Sequence, residues 1–596
     1  MEIKKPKISY TSRDFQSIKN DLVNYAKVYY PETYKDFNEA SFGSLMFDLV
    51  SYVGDILSFY VDYQSNESFL ETAIEPDNVL KLANQMGYRF RGAPSSTGVC
   101  AFYVIVPALT NGGSPNTSLI PILKKGTLLS SDGGASFILN EDVDFSASNT
   151  EIKVAALDSN NSVISYAMKA YGEIISGQVT SETIAIGDYE KFLKVRLTDE
   201  SISEVLSVKD ANGNEYYEVE YLSQDTVFFP VPNSGYDASS TPNLLKQKSV
   251  PRRFVVDQNL EGDTYLQFGY GSETQLISSS FPDPDQSVLQ MLGQNYFADK
   301  SYDPSVIFKT DKFGIVPANT TLTVQYRVNT VDNVNAGVGT VNSVVQPIVE
   351  FPASSYTNQQ AVSLISNFEV NNEEPIVGFT ELPTIDEIKT RAIDAFSTQN
   401  RAVTRQDYIN LIYRMPAKFG SVKRANIVQD TNSFKRNLNL YITSEDNDGH
   451  LTNSSSSLKK NVKEWLNNYK MVNDTIDVLD AVIVNIQIKF TVIIELDKTP
   501  SVVLNDCLTT LKEKYANKFN LGEPFYISDI YKYLNATEGV VDTSQVIIER
   551  KTGANYSQAE FSIINNTSKD GRFILVPENV ILEIKDLGTD IIGAVK

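Results

Sequence analysis

Residues 42–60 read Phe42-Gly-Ser-Leu-Met-Phe-Asp-Leu-Val-Ser-Tyr-Val-Gly-Asp-Ile-Leu-Ser-Phe-Tyr60. Within this stretch Phe42, Leu45, Met46, Leu49, Val53, Ile56, Leu57 and Tyr60 recur at i, i+3 and i+4, the spacing that gathers side chains on one face of an α-helix. The pattern persists for about five turns, too long for a strand. Upstream, Phe15, Ile18, Leu22, Tyr25, Ala26 and Tyr29 repeat it. Thr11-x-x-Asp14 opens that run with capping-box spacing and Pro31 closes it,. Downstream, Pro76 suits the first turn of a third helix, with Val79, Leu82, Ala83 and Met86 on one face and Gly87 as its left-handed stop,. Burying each of the eight side chains on the 42–60 stripe contributes roughly 1.5–3 kcal/mol before ordering costs. A region of three helices has little else to cover so wide a stripe. Two readings stand: packing on helices one and three of the same chain, and packing on other chains.

Outward from this region the texture changes. From Ser95 to Glu350, short alternating runs are separated by turn clusters such as Asn111-Gly-Gly-Ser-Pro, Asp132-Gly-Gly, Asn212-Gly and Pro232-Asn-Ser-Gly, the mark of β-hairpins and loops. Ser354 to Gln360 reads as a linker. From Pro375 helices and strands mix. Thr384-x-x-Glu387 opens a helix with Ile385, Ile388, Ala392 and Phe396 on one face, and Thr404-x-x-Asp407 opens another carrying Tyr408, Leu411, Ile412 and Met415,. Val482 to Leu496 alternates closely, even-numbered positions apolar, with Asn485, Gln487, Lys489, Thr491 and Glu495 opposite. This predicts a long half-buried strand with room for a bulge. The expected fold is multidomain α+β: an N-terminal helical region (1–94), a β-rich central region (95–352), a linker and helical pair (353–420) and a C-terminal α+β region (421–596).

The composition narrows the function. The chain has 596 residues, 42% hydrophobic and 21% charged, with a net charge of -22. So acidic a surface repels phosphate backbones and anionic lipids, so neither nucleic acid nor a membrane surface is the expected partner. No stretch approaches 18 uncharged apolar residues, so no segment is expected to span a bilayer. The N-terminal residues, basic but without an apolar core, do not read as a signal peptide. The two cysteines, Cys100 and Cys507, are too few and too far apart in sequence for a disulfide framework or a thiolate metal site, and are expected reduced and buried,.

Reactive constellations are missing. His450, the one histidine, sits in the acidic loop that begins at Glu445 and is expected to be solvated. No nucleophile elbow accompanies it. An EF-hand alignment on Asp446, Asp448 and Gly449 puts Ser455 where the bidentate Glu belongs, so the motif fails at its strongest ligand,. Phe268-Gly-Tyr-Gly-Ser lacks the third glycine of a dinucleotide site, and Lys125-Gly-Thr lacks the upstream glycine of a P-loop,. Among 74 acidic residues no spacing singles out a catalytic pair,. Tyr88-Arg-Phe-Arg reads as a salt-bridging face. The expectation is a non-enzymatic chain with no catalytic residue, cofactor or metal.

Several segments resemble baseplate wedge subunits of T-even-like myoviruses. They are Tyr10-Thr-Ser-Arg-Asp-Phe, Tyr34-Lys-Asp-Phe-Asn-Glu-Ala-Ser-Phe-Gly, Asp48-Leu-Val-Ser-Tyr-Val-Gly-Asp-Ile-Leu-Ser-Phe-Tyr and Phe69-Leu-Glu-Thr-Ala. Three more are similar to the wider baseplate J-like family: Phe268-Gly-Tyr-Gly-Ser-Glu, where Tyr270 departs from the usual F-G-D-G, Tyr326-Arg-Val-Asn-Thr-Val-Asp-Asn-Val-Asn-Ala-Gly-Val-Gly, and Arg391-Ala through Arg401-Ala-Val-Thr-Arg-Gln-Asp-Tyr408. The last supplies the family-motif positions Arg401, Ala402, Val403, Thr404, Asp407 and Tyr408. The resemblance implies a structural subunit of a contractile phage tail, assembled in the host bacterial cytoplasm and located in the virion. Its implied partners are a second copy of itself, other baseplate wedge proteins, and hub and sheath-initiating proteins, in a ring that rearranges when the sheath contracts. It also implies that the N-terminal helices form the bundle and that the C-terminal region makes dimer and ring contacts. The competing expectations are a β-rich receptor-binding or polysaccharide-degrading tail protein and a soluble carbohydrate-acting enzyme of the host.

Overall fold

The computed structural model describes residues 14–32, 38, 41–92, 94–109, 113–159, 162–232, 243–272, 313–329, 334–352, 358–430, 437–516, 519–553 and 555–596. Thr11, most of the 34–40 motif, parts of two expected turns (at Asn111 and after Pro232) and part of the expected linker lie outside these residues. The chain divides into two compact units, Met1–Arg89 with Pro383–Phe396, and Phe90–Leu382 with Ser397–Lys596. The fold is multidomain α+β: helices first, then a β-rich body, then mixed helices and strands.

The smaller unit holds helices α1 (Phe15–Tyr29), α2 (Phe42–Asn66) and α3 (Pro76–Gln85). Asp14 itself caps α1, its carboxylate accepting from the Ser17 amide at 3.1 Å. The sequence reading had placed it at the third turn position of a box opened by Thr11. Ser41 caps α2 through the Ser44 amide at 3.2 Å. The helix runs about two turns past Tyr60, because Val61 to Asn66 contain no glycine or proline to stop it,. Its end is fixed by Glu67. This nearly buried carboxylate accepts from the Ile74 amide at 2.8 Å and from Asn78 Nδ2 at 3.0 Å, folding the chain back into α3. Gly87 follows α3 at φ +90°, the left-handed geometry expected of a stop,.

The helix Ile385–Thr398 starts from Thr384, whose hydroxyl accepts from the Glu387 amide at 3.3 Å. Ile388, Ala392 and Ala395 are buried, but Phe396, expected on the same face, is 65% exposed. It lies about 80° round the helix from Ile388, past the edge of the covered line.

In the larger unit, one seven-stranded sheet runs in the order Val341–Gln346, Leu128–Ser131, Ser136–Leu139, Val163–Ser176, Thr97–Pro107, Glu369–Asn371, with Glu151–Leu157 also paired to Val163–Ser176. Phe102, Phe137, Phe145 and Leu129 fill its core. A second sheet runs in the order Gln178–Ile186, Thr320–Val328, Ile202–Asp210, Glu215–Glu218, Arg253–Gln258, Thr264–Phe268, Lys194–Arg196, around Phe254, Phe268, Tyr326 and Leu322.

The C-terminal part has two layers twice over. The helices Arg405–Tyr413 and Ser456–Asn467 pack on the sheet built around Asn437–Glu445, with Tyr408, Leu411, Leu440, Leu458 and Leu466 between them. The helices Pro500–Lys514 and Ile527–Asn535 cover one face of a sheet centred on Val482–Ile494. That strand buries Val484, Ile486, Ile488, Phe490 and Val492 and carries irregularities at 491/492 and 493/494. Two positions depart from strict alternation. Leu496 lies beyond the strand end and is fully exposed. Asn485, assigned to the polar side, is buried because it donates to Glu583 Oε2 at 2.8 Å and accepts from the Ser557 amide at 2.7 Å.

A buried polar seam ties the β-rich body to the C-terminal layers within this unit. Ser96 N donates to Ser176 Oγ at 2.8 Å, and Asn329 Nδ2 donates to the Pro94 carbonyl at 3.1 Å. Asn335 bonds Ser96 Oγ, accepts from the Phe379 amide at 3.1 Å and donates to the Glu445 carbonyl at 2.9 Å. Glu445 in turn pairs with Lys423 at 2.9 Å.

Candidate functional site

The side chains of α2 are distributed inside out. The line turned toward covered positions carries Ser44, Ser51 and Gly54: Ser44 and Ser51 are the helix's two buried residues, and Gly54 is half-buried. A Cβ at Gly54 would meet Ile18 Cδ1 of α1 at 3.2 Å, so only glycine leaves α1 its seat there without displacing that side chain. Lys19 of α1 pairs with Asp48 of α2 at 2.6 Å on the same side. The opposite side carries the large apolar residues and is open. Of the eight stripe residues, Phe42, Leu45, Met46, Leu49, Val53, Leu57 and Tyr60 are exposed and Ile56 is half-buried. The exposure runs from 40% at Met46 to 74% at Phe42.

Val50, Tyr52, Phe59 and Val61 are exposed as well. At 100° per residue, the open apolar residues span an arc of roughly 200°, against a covered line of small and polar residues under 100° wide. The sequence reading named the centre of this arc and missed its flanks. The available signal was the lack of any continuous polar face between 42 and 61, apart from the serines and aspartates of the covered line. Phe69 and Ile74, in the turn after α2, are exposed too, and so are Tyr25, Val28 and Tyr30 at the end of α1 and just beyond it.

By length and composition alone, the helix Phe42–Asn66 is apolar enough to cross a bilayer. Asp48, Asp55 and Asp62 remain on the helix, and each costs about 2.5–3.5 kcal/mol near a bilayer centre.

The family-motif residues lie in the larger unit and form a local structure. Thr404 Oγ1 accepts from the Asp407 amide at 3.2 Å, and Asp407 Oδ2 accepts from Thr404 N at 2.8 Å and Val403 N at 3.1 Å. Partial burial pushes the Asp407 carboxyl up, but these amides and the Thr404 hydroxyl outweigh it and hold it below the usual carboxylate range. Ala402 is buried, Arg401 and Val403 are exposed, and Tyr408 is buried with its hydroxyl donating to Asp474 Oδ2 at 2.7 Å. Burial and Asp474 raise the Tyr408 phenol. Val403, Tyr408, Ile427 and Met471 help line a cleft of ≈ 490 Å³.

His450 is half-buried where solvation was expected. Asp446 accepts from the amides of Asp448 at 3.0 Å and His450 at 2.8 Å, closing a tight turn. Ser455, the failed twelfth calcium position, caps the helix Ser456–Asn467. Among the described residues no group of three His, Cys, Asp or Glu side chains is placed to hold a metal. Both cysteines are buried and unpaired, and burial pushes the Cys100 thiol up to about 12.

Residues 14–85, which span α1 to α3, match the family described as bacteriophage baseplate protein, N-terminal domain. A chain of the cryo-EM structure of the anti-feeding prophage (AFP) baseplate, 6-fold symmetrised, is similar at 9% identity. That alignment covers 98% of this chain and 100% of that one with a TM-score of 0.26. A chain of the type VI secretion system TssK-TssF-TssG baseplate subcomplex is similar at 9% identity, covering 74% of this chain and 96% of that one, with a TM-score of 0.24. No curated protein matches.

Proposed function

We propose that this chain is a structural, non-enzymatic subunit of a contractile phage tail baseplate, and within it a wedge component. In this reading it pairs with itself and joins other wedge proteins through α1 and α2, while its C-terminal α+β region contributes contacts to a ring around the hub that rearranges when the sheath contracts. The observation that carries the proposal is the inverted α2. A helix that buries Ser44 and Ser51 and exposes Phe42, Leu45, Leu49, Val53, Leu57 and Tyr60 is incomplete in the isolated chain, since contiguous exposed apolar surface marks a contact surface. The match of residues 14–85 to the baseplate N-terminal domain supports the same assignment from the sequence side.

Co-expression with the adjacent wedge proteins, purification through a tag on this chain and electron-microscope imaging test the proposal. Co-purification as wedge-shaped or ring-shaped particles is expected. A chain that purifies alone and monomeric beside correctly folded neighbours refutes it, as does its absence from the tail end of purified virions. The hydropathy of α2 favours one rival reading, insertion into a membrane. Flotation of the isolated chain with lipid vesicles would establish that rival in place of the bundle.

A further inference from the structure

The cleft of ≈ 490 Å³ at the start of the helix Arg405–Tyr413 has apolar walls from Val403, Ile427, Leu438 and Met471. Val403 and Met471 are exposed, so the cleft is open to the outside. Arg405 lines it too. Its pair with Glu578 at 3.0 Å joins two side chains that are each more than half exposed, a surface pair of small worth, and a guanidinium has five N–H donors to share. Arg401 stands two residues before Val403 as Arg405 stands two after it, and its exposed side chain has no ion-pair partner among the described residues. The carboxylates beside the cleft are engaged. Asp474 is buried and accepts from the Tyr408 hydroxyl at 2.7 Å, and Asp407 accepts from the amides of Val403 and Thr404.

Three aliphatic side chains among the described residues stand almost wholly exposed: Val472, Leu496 and Ile564. Val472 adjoins Met471 of the cleft itself, and Ile564 has no charged residue within two positions. Leu496 alone has a carboxylate on each side, Glu495 and Asp497. It tops a turn in which Lys498 N donates to the Glu495 carbonyl at 3.3 Å, and Glu495 N donates to the Gly539 carbonyl at 3.0 Å. Lys498 Nζ is taken by Glu538 at 2.8 Å. The tip is therefore fixed before it meets anything, which lowers the ordering cost of a contact, and its two carboxylates are left to a partner.

We infer that Leu496 of one copy seats in this cleft of a second copy, with Glu495 and Asp497 against Arg401 and Arg405. Shape and charge select the occupant together. An open apolar cleft flanked by two arginines takes an apolar side chain carried between two anions, and Leu496 is the one near-fully exposed aliphatic side chain described that has those neighbours. Knob and cleft are different parts of the same chain, so the contact is heterologous. Such a contact repeats from copy to copy and closes into a ring where the rotation permits. The inference rests on the proposed function in taking assembly as its context and names one contact of the C-terminal region. It does not involve α2.

The test follows self-association of the full-length chain by sedimentation velocity, in a Leu49→Asp background that removes association through α2. At low salt and chain concentrations up to about 100 µM, suited to a weak contact of small area, species larger than the monomer are expected, and they should recede at high salt. Leu496→Ser, which spoils the knob, and Arg405→Glu, which spoils the cleft, should each weaken association at least about tenfold with unchanged circular dichroism. Both residues are exposed, so neither change touches the core. Adding Asp497→Lys to Arg405→Glu should restore part of the loss. An equal mixture of the two single variants is the decisive sample. One chain keeps its cleft and the other its knob, so the mixture should form one-to-one dimers and nothing longer. A monomer throughout, association indifferent to both substitutions, or a mixture that stays monomeric overturns the inference. So does a co-expressed wedge protein that binds the Leu49→Asp chain and is lost with Arg405→Glu while the chain alone stays monomeric, since the cleft is then that protein's. Failure of co-purification with wedge proteins, by contrast, sinks the bundle reading and leaves the knob-and-cleft result untouched.

Discussion

Leu49→Asp separates the two readings of α2 by a margin large enough to measure. Leu49 is 53% exposed, so close to half of its side chain is already covered, and completing its burial in a bundle is worth about 1 kcal/mol. The larger cost is the carboxylate. Enclosed among apolar side chains at pH 7, an aspartate either stays charged and unpaired, costing several kcal/mol, or takes up a proton. Neutralising a group of pKa about 3.9 at pH 7 costs about 4 kcal/mol, at 1.36 kcal/mol per pH unit. The sum, near 5 kcal/mol, weakens association by a factor of roughly 10³–10⁴. In the free chain the substitution stays in water, so its effect on stability is expected within about 0.5 kcal/mol plus a similar helix-propensity loss. The assay pairs a thermal melt of the purified variant with pull-down and sedimentation alongside the wedge proteins: the melting midpoint should hold while assembly disappears. Lowering the pH should restore association by about tenfold per unit, because less proton uptake is then needed. Assembly equal to wild type, with the variant folded, refutes the reasoning. A large fall in melting midpoint refutes it differently, by placing Leu49 inside the chain's own core.

Three further outcomes test other parts of the structure. Asn335→Leu removes the bonds to Ser96, Phe379 and Glu445 and leaves buried polar atoms unpaired, so it should destabilise the larger unit by about 2–4 kcal/mol, read as a lower denaturant midpoint with secondary structure retained. Asp407→Asn should cost about 0.5–2 kcal/mol at neutral pH. Its carboxyl is held low in the folded chain, so its contribution is present above the unfolded pKa of about 3.9 and lost as pH falls through the folded value; the gap between variant and wild type in melting midpoint should therefore narrow below that pH and not above it. Both cysteines are buried, and burial raises both thiols. Neither should react with a thiol reagent at pH 8 in the native chain, and both should react once it is unfolded.

What was legible in the sequence follows from how local the determinants are. Capping residues and 3.6-residue periodicity act within one or two turns, which is why α3 and the Thr404–Asp407 box lie where the pattern predicts. The strand Val482–Ile494 was equally readable because its alternation spans thirteen residues. The misses are nonlocal. Asn485 looks like a solvent-facing residue until Glu583 and Ser557, far along the chain, are brought to it. The short strands Thr475–Asp480 and Ile591–Val595 gain their identity by parallel pairing with Asn437–Glu445 and Val482–Ile494, which no hairpin signal announces. The buried seam around Asn335 joins residues more than a hundred positions apart. Phe396 and Leu496 show the converse, apolar residues that fit a pattern past the point where anything covers them.

The width of the open arc on α2 limits how it can be covered. A two-helix seam needs only a narrow a/d stripe, and α1 already takes the small-residue side through Gly54 and the Lys19–Asp48 pair. An arc of roughly 200° leaves apolar residues pointing in directions that no single straight helix reaches, since one neighbour covers about 100° of a helix surface. Two additional helices, one against the Leu45–Tyr52–Phe59 side and one against the Met46–Val50–Leu57 side, meet the geometry with Leu49, Val53 and Tyr60 at the centre. Lipid would cover the same arc, but it offers no partner for Asp55, which α2 carries at mid-helix; protein neighbours can supply a cation or hydrogen-bond donors there. The shape of the apolar surface and the position of its charges therefore favour at least two further helices packed around α2, beyond α1.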